Sequence, residues 1–354
     1  MKNILVVRFR QMGDAVVSTP MLDTLRANFP EARIDFVLNE RIAPLFEGHP
    51  AISRIITFTE EERHSKLTYI KKVWRIVRQT RYDVIIDMRS TANTMLFAAF
   101  SPSTPFRIGL DKAYTRPFFN HRFPKKCRDG ESMIDHNLSL LSPLKPATLR
   151  RALTLSISEQ ERSDFRQYMS EQGIDFSRPV MLAGVTAKLA DKTWAEDRMT
   201  ETLRRFIDAW SSVQIIFNYA PGKEEANAQR ICERLGKHPN IFMNVQARSA
   251  RQLAAMAANC TFYFGNEGGA RHIVQAMARP SLVVCSPFAS KSTWLTETEG
   301  VPTRGIAATD FDSNAGALSN EEQYNLITVE RVWPQLDQFT RTILLRDEGL
   351  LVLH

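Results

Sequence analysis

Ile4-Leu-Val-Val-Arg-Phe-Arg-Gln-Met-Gly-Asp-Ala-Val-Val-Ser-Thr-Pro20 opens the chain with a short apolar run that passes, through a single glycine, into a second apolar stretch. A strand feeding straight into a helix is the first unit of a doubly wound α/β domain, and such folds bind ligands just beyond the carboxyl ends of their strands. Gly13-Asp14 closes this first turn. Asp14 therefore stands where chemistry is usually done. It also stands where a helix N-cap belongs, and an aspartate suits the positive end of the helix dipole. On local sequence both readings hold.

The alternation continues outward from this turn. Ile4–Arg8 precedes a helix expected over Asp14–Asn28, Arg33–Leu38 a short helix near Arg41–Phe46, Ile52–Phe58 a helix over Lys66–Thr80, and Val84–Met88 one over Asn93–Phe100. Strands alternating with helices imply βαβ units and a mostly parallel sheet. Residues 101–145, rich in proline, arginine and aromatics, read as loops over that sheet, with a helix near Asp135–Leu144. The pattern restarts near residue 179. Val180–Val185, Val213–Asn218, Ile241–Asn244, Phe262–Phe264 and Leu282–Cys285 read as strands, with helices at Asp197–Trp210, Glu224–Leu235, Ala250–Asn259 and Ala270–Ala278. Residues 303–325 read as a polar loop and Ile327–Leu345 as a closing helix. The expected architecture is α/β: two Rossmann-like doubly wound domains facing a central cleft, the first over residues 1–172 and the second over 173–325. Residues 326–354 are expected to form a C-terminal helix that packs back on the first domain.

Composition bounds the function. The 354 residues are 44% hydrophobic and 24% charged, an ordinary globular balance for about two domains. With no apolar run of membrane-spanning length and no secretory h-region, the chain reads as cytoplasmic and non-spanning. Cys127, Cys232, Cys260 and Cys285 lack metal or disulfide spacing and read as reduced. The charge is uneven. Residues 1–150 carry 24 Lys and Arg against 15 Asp and Glu, residues 151–354 carry 22 against 24. A basic first half attracts nucleic acid, an anionic membrane surface or a phosphorylated substrate, or is simply a solvated surface.

Phosphate sites come next, because Rossmann-like folds usually bind nucleotides. Neither G-x-G-x-x-G nor G-x-x-x-x-G-K-[ST] occurs, which argues against a dinucleotide in the first half. Gly265-Asn-Glu-Gly-Gly-Ala-Arg-His272 follows a strand and opens a helix. Its glycines and helix N-terminus favour an anion, and His272 in the first turn offers a further donor; a glycine-rich turn with a capping histidine is the alternative. Asp191-Lys-Thr-Trp194 follows another strand end, where Lys192, helped by Lys188, suits a pyrophosphate, although loop lysines are commonly just solvated. In Tyr219-Ala-Pro-Gly-Lys-Glu-Glu225 a carboxylate suits ribose hydroxyls, yet Glu224 and Glu225 also suit the first turn of a helix for electrostatic reasons alone. Asp310-Phe-Asp312 has the D-x-D form of a metal-nucleotide motif but no preceding strand, and reads as incidental. No other Asp/Glu/His spacing supports a metal.

Taken together these pieces resemble one family over nearly the whole chain, the ADP-heptose lipopolysaccharide heptosyltransferases, glycosyltransferase family 9. The landmarks are the opening with its Gly13-Asp14, Tyr82-Asp-Val-Ile-Ile-Asp-Met88, Arg107-Ile-Gly109, Lys192-x-Trp194 and Asn266-Glu-Gly-Gly-Ala-Arg-His272. The opening and the Glu321–Val329 stretch are most similar to the enzymes that add a branching inner-core heptose. The resemblance implies a GT-B fold and inverting, metal-independent transfer without a cofactor. It implies Asp14 as general base, and Arg10, Gly13 and Arg89 on the acceptor. It puts Thr186, Lys188, Lys192, Glu224 or Glu225, Glu267, Gly268, Gly269 and His272 on the nucleotide-sugar donor. The implied partners are ADP-heptose or a similar nucleotide sugar, a phosphorylated lipopolysaccharide core and, peripherally, the anionic inner face of the bacterial inner membrane; no nucleic acid is implied, and the protein is expected to be a monomer. Two departures stand out. Glu267-Gly268 replaces the family's Asp-[Ser/Thr], and Arg10-Gln11 replaces small polar residues before Gly-Asp. The rival readings are a Rossmann-type dehydrogenase, which would need the missing dinucleotide turn, and a catalytically silent nucleotide-sugar-binding protein, in which Asp14 would be dispensable.

Overall fold

Six parallel strands, β1 (Asn3–Val7), β2 (Arg33–Asn39), β3 (Arg54–Phe58), β4 (Val84–Asp87), β5 (Phe106–Leu110) and β6 (His121–Phe123), form one sheet in the order β3-β2-β1-β4-β5-β6. The structure, a computed structural model, describes residues 1–297 and 300–347, and this sheet belongs to the first of two compact units, Met1–Ser158. The second unit begins at Glu159 and holds β7 (Val180–Gly184), β8 (Gln214–Phe217), β9 (Ile241–Phe242), β10 (Phe262–Asn266), β11 (Ser281–Val284) and β12 (Thr303–Ile306), ordered β12-β11-β10-β7-β8-β9 and all parallel. Read from β9, the second sheet repeats the order of the first. In each, the strand order reverses at a central pair, β1/β4 and β7/β10, which is the switch point where doubly wound sheets leave a crevice for ligands.

The central strands are apolar along their whole length because helices cover both faces of a parallel sheet. Ile4, Leu5, Val6 and Val7 are all buried, and Leu5 and Val7 share one cluster with Tyr69, Val73 and Val77 of the helix Lys66–Gln79. In the second unit Met181, Ala183, Phe262, Phe264 and Val284 pack with Leu203 and Phe206 of the helix Glu196–Ala209 and with Trp194. The closest strand approach is at its switch point. Gly265 has φ +148°, and a Cβ there would lie 2.4 Å from the carbonyl oxygen of Gly184. Gly265→Ala is therefore expected to destabilise the protein by roughly 2–3 kcal/mol, from a forbidden backbone angle and an overpacked contact; a chemical denaturation midpoint equal to that of the unaltered protein would contradict this.

Several elements differ from the sequence expectation. The helix expected over Asp14–Asn28 is two, Met12–Val16 and Thr19–Asn28, because the Ser18 and Thr19 hydroxyls donate back to the carbonyls of Ala15 and Val16 (2.6 and 2.8 Å) and Pro20 starts a new first turn. β5 and β6 lie in the segment read as loops, and β12 in the segment read as a polar loop. Both β6 and β12 are short edge strands without an apolar run: β6 is half-exposed His-Arg-Phe, and β12 is Thr-Arg-Gly-Ile, with Ile306 its one large apolar residue. The domain boundary falls at Ser158, not at residue 172. Arg150 and Thr154 are bonded to Thr24 and Thr19 of the first unit, whereas the helix Glu159–Glu171 joins the second through Glu161–Arg251 and Asn259–Arg162 contacts. The closing helix, Val329–Asp347, was expected on the first domain but belongs to the core of the second, where Val332, Leu336, Phe339 and Ile343 are buried beside Phe262 and Leu203. Residues 348–354 of that expected segment lie outside the described residues.

Candidate functional site

At the carboxyl end of β1 the backbone is held in an uncommon conformation. Arg10 and Gln11 have φ of 67° and 47°, successive left-handed values for side chains that rarely adopt them, and such strain concentrates at functional turns. The turn delivers Asp14 to the third position of the helix Met12–Val16, whose N-cap is Gln11 and has no side-chain cap bond. Asp14 thus does not occupy the cap expected of it. Its carboxylate is paired instead with the guanidinium of Arg8, Oδ2 to Nη2 at 3.2 Å. Arg8 is buried and donates through Nη1 to the Met88 carbonyl at 3.2 Å, so it ties the β1 turn to the end of β4. Burial pushes the Arg8 pKa below its ordinary value, Asp14 and Asp87 pull it up, and Arg89 pushes it further down.

The β4 end is equally braced. Asp87 is fully buried and accepts the backbone N–H groups of Arg89 (3.0 Å) and Ser90 (2.7 Å), with Ser90 at φ 49°. Burial raises its carboxyl pKa despite those donors. Ser90 Oγ accepts from Leu110 N, Lys112 Nζ donates to the carbonyls of Arg89 and Ser90, and Arg89 Nη1 donates to the Phe9 carbonyl at 3.3 Å. Of the residues assigned to the acceptor, Arg10, Gly13 and Arg89 are brought to one sheet end together with Asp14. Sequence reasoning missed Arg8, Asp87 and Lys112. Its available signal was a charged residue at the end of each buried strand, where burial needs a reason.

In the second unit, the strand ends present a different set. Thr186, just past β7, donates to Glu224 Oε2 at 3.1 Å, while Glu225 accepts from Gly222 N at 3.3 Å and so caps its own helix. The two glutamates are thereby separated, with Glu224 facing the sheet end. Lys192 is half-buried and has no carboxylate partner among the described residues; Lys188 is exposed. Trp194 fixes this loop. It is fully buried, its backbone N–H donates to Asn266 Oδ1 (2.7 Å) and its indole N–H to the Ile327 carbonyl (2.9 Å). Glu267 is buried and accepts the Ser286 hydroxyl at 3.0 Å. Gly268 is the N-cap of the helix Gly269–Ala276, in extended backbone with open space beyond its Cα and no side-chain cap bond, so the first N–H groups of that helix are left for another acceptor.

His272, read as a further donor in the first turn, is enclosed by its own unit. It is buried, and its Nε2 lies 3.1 Å from Arg271 Nη2. A guanidinium only donates, so Nε2 accepts and the proton sits on Nδ1, which has no partner among the described residues. Burial first, and then the Arg271 charge, hold the imidazole pKa well below its ordinary 6.5, and the ring is neutral. Arg271 was not singled out in the sequence. It is fully buried, donates to Gln275 Oε1 (2.7 Å) and the Trp294 carbonyl (2.8 Å), and is pushed down to about 10 by burial, against the attraction of Glu267. A cavity of about 610 Å³ opens beyond β11 and β12, lined by Ser286, Lys291, Leu295, Ala307, Thr309 and Gln323.

The D-x-D residues are used locally. Asp310 pairs with Lys291 at 2.8 Å and accepts from Ala307 N, and Asp312 accepts from Asn314 N. One grouping escaped the sequence reading, because its spacing is not a familiar one. Cys127, Glu131 and His136 of the first unit bring one ligand atom each to within 4.8 Å of one another. All four cysteines are free thiols, and burial raises those of Cys260 and Cys285 to about 12.

Two Rossmann-like domains of one strand order, each with polar groups on the carboxyl ends of its central strands, are the architecture of the GT-B class. The family model of glycosyltransferase family 9 (heptosyltransferase) matches residues 70–296, and the chain belongs to that family. The chain is 21% identical over 277 residues to lipopolysaccharide heptosyltransferase 3 of Escherichia coli, covering 76% of this chain and 78% of that one. Among solved structures it superposes on a family 9 glycosyl transferase of Veillonella parvula with a TM-score of 0.83 at 20% identity, over 98% of both chains. The E. coli ADP-heptose lps heptosyltransferase II gives 0.74 at 20% identity, over 98% of this chain and all of that one.

Proposed function

We propose that this enzyme moves heptose from ADP-heptose to the inner core of lipopolysaccharide, with inversion and without a metal ion, as a branching-type heptosyltransferase. The observation that carries the reading is Asp14, held by the buried Arg8 at the switch point of the first sheet. Asp14 takes the proton of the acceptor hydroxyl as its oxygen bonds to the anomeric carbon, and the bond from that carbon to the diphosphate breaks. Positioned general bases are worth about 10²–10⁴ in rate. Arg10, Arg89 and Gly13 bind the phosphorylated acceptor. The donor is held by the second unit, with Glu224 on the ribose and Lys192, Lys188 and the first turn of Gly269–Ala276 on the diphosphate. The buried Arg271 charge adds to the field at that helix end, an electrostatic task otherwise given to a cation. The likeness to a heptosyltransferase 3 supports the branching assignment. The basic first half suits an acceptor held at the anionic inner face of the membrane, and no helix among the described residues is long and apolar enough to cross one.

The test is transfer from ADP-heptose to a heptose-bearing core oligosaccharide, followed by mass spectrometry, in the presence of EDTA. Product is expected at an undiminished rate, and Lys192→Ala is expected to lower kcat by about 10²-fold, the scale for removing one donor to developing charge. Loss of transfer on chelation, or equal use of UDP-sugars, would overturn the donor and metal assignments.

A further inference from the structure

Of the eight large apolar side chains exposed among the described residues, three lie on one helix of the first unit, Lys66–Gln79: Leu67 at 73%, Ile70 at 39% and Trp74 at 50% exposure. Their spacing of three and four residues sets them in one stripe along the helix. The adjoining face is accounted for, since Tyr69, Val73, Ile76 and Val77 are buried against the sheet. The stripe is therefore additional to the face that folds the domain. Hydrophobic residues scattered singly over a surface need no explanation, whereas a contiguous row does.

The charges of the helix decide what the row meets. Its fourteen residues include Lys66, Lys71, Lys72, Arg75 and Arg78 and not one Asp or Glu. Lys72 is engaged with Glu62 at 2.5 Å, and Arg78 lies 5.6 Å from the ring centre of Trp74, leaving Lys66, Lys71 and Arg75 with no carboxylate partner among the described residues. A row of leucine, isoleucine and tryptophan bordered by unpaired cations is the pattern of a helix that lies in the interface of an anionic bilayer: apolar groups enter the acyl boundary, tryptophan sits at headgroup level, and each lysine or arginine meets lipid phosphate. A protein partner of that chemistry would have to be both acidic and apolar, and a second copy of this helix would place like charges together.

We propose that the helix Lys66–Gln79 is the membrane-docking element of this protein and that it binds the surface of an anionic phospholipid bilayer through Leu67, Ile70 and Trp74 with Lys66, Lys71, Arg75 and Arg78. This deepens the reading of a lipid-anchored acceptor and rests on it, but its test is separate. Sedimentation with phosphatidylglycerol vesicles is expected to carry down the full-length protein, and phosphatidylcholine vesicles are expected to leave it in solution. Leu67→Ser/Ile70→Ser/Trp74→Ser and Lys71→Glu/Arg75→Glu are each expected to weaken vesicle binding, the second by at least about fivefold per basic residue removed. Both sets of changes spare the buried face, and unaltered thermal unfolding would establish that the variants fold. Transfer to an acceptor freed of its lipid should persist in both. Vesicle binding equal to the unaltered protein in both variants, or a concentration-dependent dimer that the apolar variant alone abolishes, would overturn the proposal. Vesicle binding that depends on the helix, in a protein that transfers no heptose to any acceptor, would instead overturn the functional reading alone.

Discussion

Asp14→Asn is expected to lower kcat for heptose transfer by about 10²–10⁴-fold while leaving the affinity for ADP-heptose unchanged. The substitution is chosen because asparagine keeps the length and shape of the side chain, and its carbonyl oxygen can still accept from Arg8 Nη2, now 3.2 Å from the carboxylate. What it removes is the ability to take a proton. The donor is assigned to Thr186, Lys192 and Glu224 of the second unit and Asp14 belongs to the first, so calorimetric binding of ADP-heptose serves as the control. Arg8 loses the charge that offsets its burial, and a stability cost of about 1–3 kcal/mol accompanies the change; transfer is therefore measured well below the unfolding midpoint. A kcat within threefold of the unaltered enzyme would remove Asp14 from the chemistry. A joint fall of kcat and donor affinity would show instead that the whole turn had moved.

The expectation that Asp14 both caps and catalyses illustrates how far sequence carries. Ile4–Val7 and Val84–Ile86 are legible because a strand covered on both faces has to be apolar throughout, and the restart of the pattern near residue 179 follows for the same reason. The edge strands His121–Phe123 and Thr303–Ile306 are not, since a strand of three or four residues with one large apolar side chain carries no periodic signal. The family landmarks lie at strand ends, but the partners that hold them do not appear in a local pattern. Arg8 reads as one more cation after a strand until the fold brings it to Met88, eighty residues away. Which nitrogen of His272 carries the proton is open until Arg271, its own neighbour, is found donating to Nε2 and leaves the proton on Nδ1. Glu224 and Glu225 are indistinguishable in a first helical turn, and only the meeting of Glu224 with Thr186, thirty-eight residues distant, separates them. The closing helix was assigned to the wrong core because periodicity reveals an apolar face without naming what it packs on.

Trp194 offers the second large effect, and it joins stability to the donor site. Its side chain is fully buried in one cluster with Met181, Phe217 and Leu203; its backbone N–H donates to Asn266 Oδ1 and its indole N–H to the Ile327 carbonyl. Asn266 in turn donates to the Gly184 carbonyl at 3.0 Å, so Trp194 and Asn266 together link the Lys192 loop, the ends of β7 and β10 and the start of the closing helix. Truncation to alanine leaves a cavity the size of an indole and takes the shorter of two donors from the Ile327 carbonyl, which keeps only the longer bond from Arg198 Nη1 at 3.3 Å. Trp194→Ala is expected to cost about 3–5 kcal/mol, which lowers Tm by roughly 6–20 °C for a unit of this size. Trp194→Phe fills most of the cavity but cannot donate to Ile327, and is expected to cost about 1–3 kcal/mol. The two variants separate packing from positioning. If the indole serves only the core, Trp194→Phe retains the donor KM of the unaltered enzyme at temperatures where it is folded. If it holds Lys192 in place through the loop, KM for ADP-heptose rises in Trp194→Phe while inhibition by ADP weakens in parallel, and a phenylalanine variant with unaltered values of both would reduce Trp194 to a structural residue.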